Sequence, residues 1–109
     1  MFELRTNGRY AHNRESGVLV EQMGKYGILY RIRQNLLVLP CQPLVTERDG
    51  TFTEQIILTP EMKWLFPYQD QVITSEEREE IRNNIRAAYA VLEPDSQVEF
   101  YGETVDRPE

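Results

Sequence analysis

TSEEREEIRNNIRAAYAVL, residues 74–92, is the stretch whose reading decides the fold. Thr74 stands where an N-cap belongs and Glu77 follows three residues later, so hydroxyl and carboxylate can each satisfy an orphan backbone donor at a helix start. Glu76, Glu77, Glu79 and Glu80 crowd the first two turns, where the positive end of the helix dipole favours them. Ile81, Ile85, Ala88 and Leu92 recur at helical spacing with Tyr89 beside them, while Glu76, Glu79, Asn83, Arg86 and Ala90 fall on the other side. The spacing predicts one amphipathic helix over 74–92 with its apolar stripe against a core. Pro94 stops it, and Val98-Glu99-Phe100-Tyr101 alternates as a strand does, which predicts a closing strand over 97–101 before a polar tail over 102–109.

Upstream of the helix the chain reads as strands. Val18-Leu19-Val20 and Tyr26 to Arg33 are rich in branched and aromatic residues and flank Gly24, the pattern of a hairpin. In the second run Ile28, Tyr30 and Ile32 alternate with Leu29, Arg31 and Arg33, so one face is apolar and the other turns basic. Gln34-Asn35 offers a turn into Leu36 to Leu39. Pro40 and Pro43 remove two backbone donors, which marks that segment as an edge strand or a bulge. Val45 to Arg48 and Thr51 to Leu58 flank Asp49-Gly50, the dipeptide suited to a type I′ hairpin turn, and Thr59-Pro60 ends the run. The expected class is α+β: an antiparallel sheet of five to six strands packed against one C-terminal amphipathic helix, followed by a final strand. With no repeat or linker in sight, residues 1–109 form a single domain, strand-rich over 1–60 with a loop over 61–73.

Size and charge narrow the function classes. A chain of 109 residues buries roughly two-thirds of the surface its unfolded form exposes, enough for one core without staples. The net charge is -6, split between +2 over residues 1–50 and -8 over 51–109. That balance opposes broad binding to nucleic acid or to anionic membranes. Cys41 is the only cysteine, which excludes an intrachain disulfide and a cysteine-based zinc cluster. With no apolar run of signal-peptide or membrane-spanning length, the expected location is the cytoplasm.

The search for chemistry finds little. His12 is the sole histidine and lies among Asn13, Arg14 and Glu15 in a stretch read as a loop, where a solvated imidazole is the expectation. Cys41, between two prolines, reads as a small buried hydrophobe. The carboxylates of 76–80 have helical spacing, not the alternating oxygens of a calcium loop or the Glu-x-x-His of a di-iron helix. Gly24-Lys25-Tyr26-Gly27 lacks the spacing of a phosphate loop. Arg31 and Arg33 suggest a stacking platform for single strands, but Tyr26 and Tyr30 alternate onto the opposite face, so such a platform would need side chains from other strands. No catalytic residue, cofactor or metal is expected, and the chain is read as not an enzyme.

The most distinctive segment runs from Met62 to Ile85. Trp64 is the only tryptophan, Pro67-Tyr68 follows it, and Ile73-Thr74 leads into the capped helix with Glu77, Arg78, Ile81 and Ile85 in order. Packing accounts for this: Ile73 acts as a staple before the cap, and Trp64 covers the end of the sheet. The segment also resembles small bacterial immunity proteins of polymorphic toxin systems, in which a tryptophan, a W-x-x-P loop, an isoleucine, a Ser/Thr cap and an amphipathic helix precede a last strand. The match covers about 40 residues at the C-terminal end, from Trp64 through Val98 to Phe100. The resemblance implies a protein-binding module that neutralises a toxin. An acidic half would suit a basic toxin domain, with Trp64, Tyr68, Asp70, Glu76, Glu79 and Glu80 as the contact surface. The alternative is a small structural or regulatory protein, encoded on a mobile element, that pairs through the strand near Pro40 to Pro43 as a homodimer or binds another subunit.

Overall fold

Residues 2–5, 10–23, 27–46, 51–65 and 71–102 are described by a computed structural model of the chain. The strand-like alternation of the first sixty residues becomes six strands: β1 (Phe2–Arg5), β2 (Tyr10–Asn13), β3 (Leu19–Gln22), β4 (Gly27–Ile32), β5 (Asn35–Thr46) and β6 (Thr51–Ile57). The helix α1 (Ser75–Leu92) and the strand β7 (Ser96–Tyr101) complete the chain. All seven strands form one sheet in sequential order, the arrangement that short connections favour.

The sheet is mixed, which corrects the all-antiparallel expectation. β7 lies parallel to β6, with Phe52 opposite Ser96 and Ile57 opposite Tyr101. The physical reason is the helix, a crossover long enough to return the chain to the end of the sheet from which β6 started, as parallel neighbours require. The strands number seven, six before the helix and the closing β7 after it. The unread pair is β1 and β2, four residues each, too short for alternation to stand out. His12 consequently sits in β2 between Glu3 and Leu19, not in a loop.

Pro40 and Pro43 neither end the ladder nor make an outer edge. β5 is an internal strand of 12 residues that changes neighbours midway: residues 35–40 pair with β4 and residues 41–46 with β6. Each half is laddered on one side only, so a residue whose N–H would face the other side loses no strand bond by being proline. The turn between β4 and β5 falls at Arg33-Gln34, one residue earlier than expected, and Arg33 adopts a φ of 54°. The β5–β6 hairpin is present with Thr46 opposite Thr51, while Asp49-Gly50 and Gly24 lie outside the described residues.

The sheet curls around α1, which touches β1 and β2 at one end and β7 at the other. Inner-face residues take part in one core: Ala11, Val20, Ile28, Tyr30, Leu39, Ile56 and Leu58 are fully enclosed with Ile81, Ile85 and Ala88 of the helix. The predicted stripe is the buried one, and Glu76, Glu79, Asn83, Arg86 and Ala90 are exposed. The capping box is present: Thr74 Oγ1 accepts from the Glu77 N–H at 3.1 Å, and the Glu77 carboxylate accepts from the Thr74 N–H at 2.9 Å. Before the cap, residues 62–64 run beside 71–73, with the Ile73 N–H donating to Met62 at 2.9 Å and the Trp64 N–H to Gln71 at 3.1 Å. Buried Arg78 donates to the Ile73 carbonyl at 3.0 Å, so its stem lies where a staple partner would. Among the described residues, no helix is long and apolar enough to cross a membrane.

Candidate functional site

The first two turns of α1 present Glu76, Glu79 and Glu80 to solvent, neighbours by the i, i+3 and i+4 relations of a helix. Glu77 is withdrawn from that surface by its capping role. Arg82 pairs with Glu79 at 2.7 Å and offsets part of the charge. Trp64 is 4% exposed and belongs to the core. Its ring therefore has the packing role rather than that of a surface anchor. Tyr68 and Asp70, with Pro67, lie outside the described residues.

A second constellation is internal. Glu54 of β6 is 5% exposed, on the inner face beside Cys41 of β5, Tyr89 of α1 and Glu93 at the helix C-cap. Burial raises the Glu54 carboxyl above the usual carboxylate range, with the nearby Glu93 adding to the effect and a hydrogen bond from Cys41 opposing it. Burial, then the Glu54 carboxylate, pushes the Cys41 thiol up to about 12. Tyr89 is raised in the same way, with Gln22 as its hydrogen-bonding partner, and Gln22 also donates to Glu93 at 3.2 Å. A thiol so disfavoured as thiolate is a poor nucleophile near neutrality, in keeping with the reading of Cys41 as a small buried hydrophobe. Glu54 was legible in principle, since it shares parity with Ile56 and Leu58 and so belongs on the core side.

Shallow clefts open on the surface of the described residues. One of 240 Å³ lies between the helix end and β7, lined by Arg86, Tyr89, Pro94, Ser96 and Val98, with Arg86 placed 5.0 Å over the Phe100 ring. Two others share Arg31 on the outer face of the sheet: one of 320 Å³ with Tyr10, His12 and Leu19, the other of 480 Å³ with Arg33, Gln34 and Leu36. Alternation in the sequence puts Arg31 and Arg33 on one basic face, but it cannot supply the β2 and β3 neighbours of Arg31 or place Arg33 in the turn beside Gln34. Among the described residues, no three His, Cys, Asp or Glu side chains converge in a way that could hold a metal ion. No protein-family model, curated protein or solved structure matches the chain.

Proposed function

We propose that the protein is a protein-binding module rather than an enzyme, an immunity-like inhibitor that binds and neutralises a basic partner toxin. The observation that carries this reading is the projection of Glu76, Glu79 and Glu80 from a helix whose opposite face is clamped in the sheet. The fold uses none of the three for capping or core packing, and their spacing on a rigid element keeps the charge concentrated. Such a cluster steers a basic partner and loses little side-chain and backbone freedom on docking. Tyr68 and Asp70 precede the helix in sequence and complete the proposed surface, with the helix carboxylates in place of Trp64 at its centre.

The test is co-expression with the product of the adjacent open reading frame. The expected result is that the wild-type chain protects cells and co-purifies with that product. Replacing Glu76, Glu79 and Glu80 together by lysine then abolishes both effects while the variant stays folded, with only the modest fall in melting temperature that lysines at a helix start and the lost Arg82–Glu79 pair bring. Absence of protection by the wild type, or full protection by the triple variant, overturns the reading.

A second reading rests on β5, whose half-laddered stretches leave strand sides without a strand neighbour. On that reading the chain is a structural or regulatory protein that self-associates. Sedimentation at several concentrations decides it, since a strict monomer removes it.

A further inference from the structure

Two carboxyl groups meet at the C-terminal end of α1 without a cation between them. Glu54 stands on the inner face of β6, diagonal to Cys41 of β5, since Pro43 is opposite Glu54 and Cys41 is opposite Ile56. Its neighbour on the other side is Val98 of β7. From the helix it has beside it the Tyr89 phenol and the carboxylate of Glu93, the C-cap residue. Gln22 of β3 donates to Glu93 at 3.2 Å and also bonds to Tyr89, so an uncharged amide ties the group together. No basic residue occupies the last turn of α1, where the helix dipole would favour one. Arg86, exposed and further back on the helix, lies 5.0 Å over the Phe100 ring. The charged group that acts on Glu54 is thus another acid, Glu93, whereas buried Tyr30 has Arg33 in opposition to Glu80.

An enclosed carboxylate in that setting meets desolvation, a like charge and the negative end of a helix at once, and a proton on Glu54 relieves all three. Once the proton leaves, water is the group that can stabilise the charge, and the structure around Glu54 must part to admit it. β7 is an edge of the sheet, laddered to β6 alone. A cleft of 240 Å³ already lies between β7 and the helix end, lined by Tyr89 and Val98. Opening along that cleft reaches Glu54 while leaving β1 to β6 and the capped start of α1 in place, which makes it a local event. We propose that the junction of α1 and β7 is a proton-dependent latch, closed while Glu54 carries its proton and opened between Tyr89 and Val98 when that proton passes to solvent. The closed form holds the proton more tightly than the hydrated, opened one, so closure is complete at acid pH and is lost as pH rises through the closed-state value of Glu54. The latch lies at the opposite end of α1 from Glu76, Glu79 and Glu80 and does not depend on their role.

The experiment is an NMR titration of the full chain with isotope-labelled glutamate carboxyls, from mildly acidic to mildly alkaline pH. Amide protection, corrected for the unstructured-peptide exchange rate, is read at each step. Glu54 should titrate above the ordinary carboxylate range, and as it does so protection over residues 89–101 should fall at least roughly tenfold more than over residues 28–32. Glu54→Gln, which keeps the shape but cannot ionise, should leave residues 89–101 protected throughout. Glu93→Gln, which removes the like charge and can still accept from Gln22, should move the Glu54 midpoint to lower pH and shrink the fall in protection. An ordinary Glu54 midpoint, an equal loss of protection in all strands, the same fall in Glu54→Gln, or an unmoved midpoint in Glu93→Gln would each overturn the latch.

Discussion

Asn84, midway along α1, donates from Nδ2 to the Tyr30 hydroxyl in the middle of β4 at 2.9 Å. Tyr30 is fully enclosed, and this bond gives its hydroxyl a partner where the helix crosses the inner face of the sheet. Burial raises the phenol to about 12, with the Asn84 bond opposing the rise. Asn84→Ala should therefore cost about 1–3 kcal/mol, because it leaves an enclosed hydroxyl unpaired, whereas Tyr30→Phe should cost about 1 kcal/mol. Urea denaturation of both variants and of the double variant checks this. Strict additivity would show that the two groups do not interact in the folded protein.

The capping box predicts a local and separable effect. Thr74→Ala should lower stability by about 1 kcal/mol, Thr74→Ser should be near neutral, and Glu77→Gln should retain most of the stability because an amide oxygen can also accept from the Thr74 N–H. Thermal melts of the three variants should preserve that order. A fully stable alanine variant would argue that tertiary packing alone sets the helix start.

Glu54 makes stability pH-dependent in a stated direction. Its folded pKa lies above the usual carboxylate range, so the folded state holds the proton more tightly than the unfolded one. The stability it contributes is full below the unfolded pKa and is lost as pH rises through the folded pKa. Glu54→Gln should flatten that descent in chemical denaturation measured across mildly acidic to neutral pH. The Cys41 thiol, 6% exposed and raised to about 12, should react with a thiol reagent at pH 8 far more slowly in the folded than in the unfolded protein.

Gly102 closes the sheet at β7 in a conformation that suits glycine. Its φ is +99°, and a Cβ there would lie 2.6 Å from the Thr59 methyl and 3.3 Å from the Leu58 carbonyl. The neighbouring Leu58 N–H donates to Tyr101 at 2.9 Å, so the contact cannot open without straining the β6–β7 ladder. Gly102→Ala should cost about 1–3 kcal/mol, and adding Thr59→Ser should recover part of it by removing the methyl while leaving the backbone strain. Equal stability of wild type and Gly102→Ala in thermal melts would contradict this geometry.

Much of the local structure was legible in residue order. The helix, its cap, its stop and its buried stripe follow from hydroxyl, carboxylate and apolar spacing over 18 residues, where periodicity has room to declare itself. The alternation of Ile28, Tyr30 and Ile32 identified the core side of β4 for the same reason. Four-residue strands such as β1 and β2 carry too few periods to read, and proline in β5 suggested an edge because a strand's neighbours cannot be counted from its own sequence.

By itself, then, the sequence determined which segments are amphipathic and which side of each is buried, because those properties depend on residues a few positions apart. Only the tertiary structure decided the parallel pairing of β7 with β6, the burial of Trp64, the enclosure of Glu54 among Cys41, Tyr89 and Glu93, and the alignment of His12, Leu19, Arg31 and Leu36 across four strands. Each of these joins residues far apart in the chain, and such contacts are set by how the sheet curls around the helix and which strands become neighbours.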